Sequence, residues 1–199
     1  MVFKRKNKRS YLQVAQESVY PKGGWGRAAS YIAHRLRRLP DPPQRIARGI
    51  AAGVFVSFTP LFGLHFIAAA FVAIGLRGNV IAAMLSTFVG NPLTFPFIAA
   101  LALQIGNRVL GTQQRETSVG VFEAFSRASG ELWWNFTSLF RPVEAHWDRL
   151  HLFFDTVFLP YMVGGLVPGL IAGLIAYALS KPVIAAYQRR RARSLNRTL

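Results

Sequence analysis

Three long stretches without a formal charge constrain this 199-residue chain more than any other feature. They cover residues 49–76, 78–107 and 156–180, which is 28, 30 and 25 residues. A helix needs about 20 apolar residues to cross a hydrocarbon core of about 30 Å, so each stretch is long enough. Only 16% of the residues are charged, against about 25% in a typical soluble domain. We therefore expect an all-α integral membrane protein.

The basic residues lie mainly at the two ends of the chain. Residues 1–48 carry a net charge of +10 and residues 152–199 carry +5, out of +16 in total. Lys and Arg are retained on the cytoplasmic side of a membrane and are attracted to anionic headgroups. We expect both termini in the cytoplasm and anionic lipids as partners. A basic arm also occurs in nucleic-acid-binding proteins, but beside membrane segments we expect no nucleic-acid partner.

The domain organisation follows from these blocks of charge. It predicts a basic cytoplasmic arm over 1–44, a membrane domain over 45–180 and a basic cytoplasmic tail over 181–199. Within the arm, apolar residues recur at helical spacing, which predicts a helix that lies among lipid headgroups or packs on its own protein. These residues are Trp25, Ala28, Ile32, Leu36 and Leu39.

The first two apolar stretches resemble each other. The sequence Phe66–Ala69 recurs as Phe97–Ala100, and residues 66–77 share seven identities with residues 97–108 at an offset of 31. Each stretch also carries a proline in its middle, which removes a backbone donor and interrupts a helix. We predict two repeat units, about 45–77 and 78–110, each a helix, a break that can be re-entrant, and a second helix.

The breaks are candidates for a binding site near the middle of the membrane. In hydrocarbon a freed backbone group costs several kcal/mol unless protein or water satisfies it. Polar side chains near the breaks either bond the kinked backbone or form a site between discontinuous helices, as in transporters. The candidate residues are Thr59, Pro60, His65, Asn91, Pro92 and Thr94. Arg77 and Arg108, at the segment ends, either attract a phosphate headgroup or snorkel to the interface.

Several of these motifs resemble a bacterial membrane family catalogued as domain of unknown function 2062 (DUF2062). The resemblance is carried by the stretch from Arg45 to Gly63 with its Thr-Pro-Leu-Phe-Gly, by Leu76-Arg-Gly-Asn79, and by Asn91-Pro-Leu-Thr94. It covers roughly residues 40–180. It implies a bacterial inner-membrane protein, and some relatives fuse this domain to glycosyltransferases. It implies no established activity and no catalytic residue.

Residues 111–151 are more polar and rich in aromatic side chains, which predicts an insert of short amphipathic helices at the interface. Within and after it, Glu144, Asp148, His151 and Asp155 are spaced by four, three and four residues. This spacing places them on one helical face, either solvated or acting as a proton or ion relay. One helix alone cannot enclose a metal, so we predict no metal site.

Small residues at four-residue spacing predict close helix contacts, within the chain or between subunits. They are Gly49 and Gly53 in the first stretch and Gly165, Gly169 and Gly173 in the third. Two cytoplasmic ends require an even number of crossings. Either the first stretch is re-entrant, which we prefer, or the third segment, 152–180, turns back at Gly164–Pro168.

Two functions from different classes fit these features. The first is the binding or movement of an anionic lipid, a lipid carrier or a small solute through the broken helices. The second is a non-transporting anchor or assembly factor, holding a second copy or an envelope-biosynthesis enzyme through its glycine seams and basic tails. We do not expect an enzyme or a cofactor, because no paired acid and base lies within the apolar stretches.

Overall fold

The structure, a computed structural model, describes residues 24–112, 120–140 and 144–195. All regular elements in these ranges are helical. The chain divides into two compact units, one made of its ends (Met1–Pro40 and Ala186–Leu199) and one made of Asp41–Ala185. The expected domain borders at residues 44/45 and 180/181 stay a prediction, and each differs from the border of the central unit by a few residues.

The described N-terminal part of the small unit is helix α1, Gly24–Arg37. Its last turn holds His34, Arg35 and Arg37, where positive charge is favourable beside the unpaired carbonyl groups. Arg35 also donates a hydrogen bond to the Tyr31 hydroxyl at 3.0 Å. The helix covers the predicted apolar pattern up to Leu36, and the side chain of Trp25 lies outside the description.

The central unit begins with a helical hairpin. Helix α2 (Pro43–Val56) starts at a proline. A proline lacks the backbone N–H, but an N–H in the first turn would have no partner within the helix. Helix α3 (His65–Gly75) returns toward the start of α2. The amide of Asn79 donates to the carbonyl of Arg45 at 2.9 Å. The start of α2 and the turn that follows α3 therefore lie side by side.

Helix α4 (Val80–Ser86) and the 3-10 turn Thr87–Val89 run parallel to α2. The Asn79 side chain caps α4 by accepting from the amide of Ala82 at 2.6 Å. A Cβ on Gly49 would collide with the carbonyl oxygen of Asn79, and one on Gly53 with that of Ala83. The two glycines thus let α2 and α4 approach through their backbones, within one chain.

Helix α5 (Phe95–Leu110) contacts the long helix α8 (Leu159–Leu195) in the same way. A Cβ on Gly106 would meet the carbonyl oxygen of Pro160, and one on Gly164 that of Ala102. The three glycines of the third segment face α2, where added Cβ atoms would lie close to Phe58, Phe55 and Ala51 in turn. Because this order is reversed along α2, the two helices are antiparallel.

The third apolar segment is not broken by its prolines. Helix α7 (Asp148–Phe153), a π-helical segment (Phe154–Phe158) and α8 form a continuous helix, with Pro168 and Pro182 inside it. The alternative turn at Gly164–Pro168 is therefore wrong. In apolar surroundings a break would leave more backbone groups unpaired than one internal proline does.

Within the described residues, the helix Asp148–Arg193 is long and apolar enough to cross a membrane. The other apolar helices are shorter: His65–Gly75, Val80–Val89 and Phe95–Leu110. At about 1.5 Å per residue, none of these three alone spans about 30 Å of hydrocarbon. The first two charge-free stretches therefore form interrupted helices rather than straight spans. Several crossings remain a prediction.

Helix α6 (Val121–Ser138) packs against α7 as a second hairpin. The buried carboxylate of Glu131 accepts from the amides of Arg149 and Leu150, at 3.2 and 2.5 Å. Asn135 accepts from the amide of His146 at 3.0 Å and donates to its carbonyl. These bonds satisfy backbone groups at and just before the start of α7, where a negative charge is also favourable.

Candidate functional site

The first break covers residues 57–64 and is closed by local hydrogen bonds. The hydroxyl of Thr59 donates to the carbonyl of Val56 at 2.7 Å. His65, the first residue of α3, places Nε2 at 3.1 Å from the carbonyl oxygen of Thr59. Pro60, which lies between Thr59 and His65 in the sequence, is fully buried. The polar groups of this break are thus occupied by its own backbone.

The second break covers residues 90–94 and is closed in a similar way. The side-chain oxygen of Asn91 accepts from the amides of Leu93 and Thr94, at 2.9 and 3.2 Å. The Thr94 hydroxyl bonds the carbonyl of Val89 and accepts from the amide of Asn91 at 3.1 Å. Pro92 is exposed in the middle of this turn. Asn91 and Thr94 therefore stabilise the backbone of this turn.

Ser57 and Phe62 of the first break contact residues that flank the second break. The Ser57 hydroxyl donates to the carbonyl of Thr87 at 3.1 Å, and the rings of Phe62 and Phe95 lie 4.9 Å apart. No hydrogen bond joins the Thr59–His65 pair to the Asn91–Thr94 pair among the described residues. The polar candidates thus form two separate groups, Thr59 with His65 and Asn91 with Thr94, each bonded to its own backbone.

The turns of the two breaks correspond at an offset of 30 residues, since α3 starts at His65 and α5 at Phe95. The prolines at 60 and 92 therefore take different places: Pro60 precedes its turn, whereas Pro92 lies within it. The sequence offsets of 31 and 32 do not match this spacing. An internal repeat stays a prediction, carried by the recurrence of helix, break and helix.

Phe62 is the centre of a cluster of five rings, which we call the Phe62 cluster. Its ring lies 4.3 Å from that of Phe125 on α6 and 5.5 Å from that of His65. It also packs edge-on against Phe95 and, at 6.2 Å, against Tyr161 on α8. The first break is therefore in contact with α5, α6 and α8 through aromatic side chains.

Apolar side chains around both breaks are exposed. Phe62 is 36% exposed, and Leu64 and Leu93 are more than half exposed. The following helices continue this surface with Phe66, Ile67, Phe71 and Phe97. Water would solvate such a surface poorly, whereas lipid chains would not. The breaks thus present apolar groups outward and polar groups inward.

Arg77 and Arg108 directly follow the first two charge-free stretches and are exposed. Arg77 adopts a left-handed backbone conformation, with φ of 52°, in the turn between α3 and α4. Neither guanidinium forms an ion pair with a described residue. The turn holding Arg77 lies beside the start of α2, where Arg45 pairs with Asp41 at 3.0 Å. This end of the hairpin therefore collects cationic side chains.

The expected relay row does not form one helical face. Glu144 lies in a non-helical segment, because the helix begins at Asp148. Asp148 and His151 lie on α7, and Asp155 lies in the π-helical segment that follows it. All four side chains are exposed. Within the described residues, no cluster of three His, Cys, Asp or Glu side chains is arranged to hold a metal ion.

Three polar residues that the structure buries were missed from the sequence. Glu131, Asn135 and Tyr161 are 9%, 5% and 0% exposed. The available signal was the helical spacing of Glu131 and Asn135, which puts both on one face of α6. The aromatic residues beside them instead predicted an amphipathic helix at the interface.

Comparison with known proteins gives a family but no relative of known activity. The model of a family described as "Uncharacterized protein conserved in bacteria (DUF2062)" matches residues 26–193, so the chain belongs to this family. No curated protein matches the chain. No solved structure matches it either.

Proposed function

We propose that this DUF2062 protein is a multi-pass protein of the bacterial inner membrane that binds anionic phospholipids at its two helix breaks. One observation carries the proposal: both breaks turn their polar groups onto their own backbone and present apolar side chains outward. Such a surface suits lipid chains. Transfer of the bound lipid between leaflets is the activity that this binding would serve.

The dimensions of the first hairpin support a re-entrant position. Helix α2 has 14 residues, which corresponds to about 21 Å at 1.5 Å per residue. If the Arg77 end lies at the cytoplasmic surface, the break reaches into a hydrocarbon core of about 30 Å without crossing it. The side chains of Thr59 and His65 are bonded to nearby backbone carbonyl groups, which lowers the free-energy cost of placing this turn at that depth.

The charges at the open end of the hairpin support an anionic headgroup. Arg77 is exposed and unpaired among the described residues, and Arg45 lies in the adjacent first turn of α2. A lipid with its chains along α3 would bring its phosphate to this end. A basic residue near an anionic surface contributes about 1 kcal/mol.

The other candidates fit less well. A small polar solute would need free polar side chains, but those of Thr59, Asn91 and Thr94 are bonded to nearby backbone. An anchor that holds a partner through its glycines would need those glycines on the surface. Gly49, Gly53 and the three glycines of the third segment instead pack inside the chain.

The test measures lipid binding by the purified full chain in detergent. The readout is energy transfer from tryptophan to a dansyl-labelled lipid. We expect saturable binding of phosphatidylglycerol with higher affinity than phosphatidylcholine. Arg77→Gln should weaken phosphatidylglycerol binding about fivefold, the equivalent of about 1 kcal/mol, and leave phosphatidylcholine binding unchanged.

The matched control is Arg127→Gln, since Arg127 is exposed on α6 and paired with Glu123. It should bind both lipids as the unaltered chain does. Absence of saturable binding to either lipid would refute the proposal. An equal loss in both arginine variants would show that total charge, rather than the hairpin, attracts the lipid.

A further inference from the structure

Arg48 places a charged group on an otherwise apolar face of α2. Ala51 and Phe55 follow it at steps of three and four residues, so the three side chains share one face of the helix. Arg48 is only partly exposed, and its Nε atom is buried without a hydrogen-bond partner. None of the ion pairs among the described residues includes it. Because an unpaired charge is costly to remove from water, this guanidinium favours an anion as its partner.

The face that carries Arg48 borders both α3 and α8. Phe55 packs against the buried cluster to which α3 contributes Ala69 and Ala73. A Cβ added to Gly169 of α8 would lie 3.4 Å from the ring of the same Phe55. Glycine supplies no side chain that could cover this face, and Phe55 remains partly exposed. Helix α2 therefore keeps an accessible apolar surface between Arg48 and the first break.

The register of α2 and α8 places a second cation near Arg48. A Cβ added to Gly173 would lie 3.0 Å from the carbonyl oxygen of Ala51. Because the two helices are antiparallel, the next turn of α8, which holds Tyr177, lies opposite Arg48. Lys181 follows one turn later, and its Nζ atom lies 5.8 Å from the centre of the Tyr177 ring. The partly exposed Lys181 is therefore at the same end of the helix pair.

This end of the molecule is also the end to which the proposed function assigns the lipid phosphate. A Cβ added to Gly78, the residue after Arg77, would lie 2.8 Å from the amide nitrogen of Gly49. The turn that holds Arg77 thus packs on α2 directly beside Arg48. Helix α8 contains no acidic residue, and the nearby carboxylate of Asp41 accepts hydrogen bonds from the side chains of Arg45 and Asn79.

We infer that Arg48 binds the phosphate group of the lipid directly, with Lys181 as a second cation and an acyl chain lying over Phe55 toward the first break. This rests on the proposed lipid binding and identifies the residue that recognises the phosphate. A planar guanidinium donates two parallel hydrogen bonds to phosphate oxygens. Every phospholipid carries this phosphate, so Arg48 binds phosphatidylglycerol and phosphatidylcholine alike. The exposed Arg77 favours only the lipid with a net negative charge.

The experiment compares Arg48→Gln with Arg77→Gln in the full chain in detergent, using dansyl-labelled phosphatidylcholine and phosphatidylglycerol. Arg48→Gln should lower the affinity for phosphatidylcholine about tenfold, the effect of losing a hydrogen bond to a charged group. Its affinity for phosphatidylglycerol should fall at least as much. Arg77→Gln should weaken the binding of phosphatidylglycerol alone. Arg48→Lys keeps the charge without the planar fork and should recover part of the lost phosphatidylcholine affinity.

Two controls separate recognition of a lipid phosphate from other roles of Arg48. Without lipid, Arg48→Gln should unfold at the same temperature as the unaltered chain, whereas a lower temperature would show a structural role and overturn the inference. Glycerophosphocholine has the same phosphate but no acyl chains, so an equal concentration of it should leave phosphatidylcholine bound. Displacement at that concentration would show a site for free phosphate esters and would also overturn the inference.

The matched charge control is Arg127→Gln, which should bind both lipids as the unaltered chain does. Unchanged phosphatidylcholine binding by Arg48→Gln overturns the inference, while the proposed function stands if phosphatidylglycerol is still preferred and Arg77→Gln still weakens its binding. Absence of saturable binding to either lipid would remove both.

Discussion

The two hairpins of the central unit make their main backbone contacts in opposite ways. The first hairpin packs against the following helix, where α2 meets α4 through glycines, so that backbone touches backbone at Gly49 and Gly53. In the second, α6 meets α7 through the side chains of Glu131 and Asn135, which reach backbone groups across the turn. The first depends on the absence of side chains and the second on two specific ones.

The two kinds of contact determine which side chains remain exposed on each hairpin. Glycine contacts bury almost no side chain, so the large apolar residues of α3 and α5 remain outside. In α6 the polar residues are used inside, and Trp133, Trp134 and Phe136 are exposed. Both hairpins thus bury some polar groups against backbone and expose large apolar side chains. Both surfaces fit the proposed lipid contact.

The largest expected effect comes from filling a glycine contact. Gly53→Leu would place its Cβ against the carbonyl oxygen of Ala83, and overpacking at a backbone contact has no flexible neighbour to yield. We expect at least a tenfold lower yield of monodisperse protein after detergent extraction. Gly130→Leu, on α6 with nothing within 4 Å of its Cβ, should give the normal yield. Equal yields would refute the close contact of α2 and α4.

A smaller effect is expected from the second hairpin. Glu131→Ala leaves the amides of Arg149 and Leu150 without their acceptor, which should lower the free energy of unfolding by about 2–3 kcal/mol. Unfolding in mixed micelles, followed by tryptophan fluorescence, measures it. Glu123→Ala removes only an exposed pair with Arg127 and should cost less than about 1 kcal/mol. Similar losses in both would contradict the capping role of Glu131.

The smallest effect on stability, within about 0.5 kcal/mol, is expected for the exposed aromatic face. A chain that keeps Trp133 and has phenylalanine at its three other tryptophans should fold normally. Reconstituted with brominated phosphatidylcholine, it should lose more than half of its fluorescence by contact quenching. Unquenched emission would mean that this face meets water or protein, and the comparison of the two hairpins would then fail.

The sequence predicted the interruptions better than the contacts. Thr59-Pro60 and Asn91-Pro92 mark the two breaks because proline and short polar side chains act on their own backbone. The same rule failed at Pro168, where packing against α2 through Gly165 and Gly169 keeps α8 continuous. Local chemistry decides a helix end only where tertiary contacts do not oppose it.

The candidate site was predictable in part for the same reason. Thr59, Asn91 and Thr94 bond backbone groups within five residues of themselves, so their role follows from local spacing. Glu131 and Tyr161 depend on α7 and on α5, which are distant along the chain. The single helical face expected for the relay row is wrong because its spacing assumed a regular helix from residue 144, whereas the helix begins at Asp148.

That segment, Phe154–Phe158, sets the rotational phase of the long helix. Upstream, Glu131 fixes the orientation of α7, and downstream Gly165, Gly169 and Gly173 must face α2. One residue more or less turns every following side chain by about 100°. A wider turn accommodates an additional residue without a break in the helix. One continuous helix can therefore pack correctly against both α6 and α2. Deleting a single residue from the π-helical segment would turn Gly165, Gly169 and Gly173 away from α2.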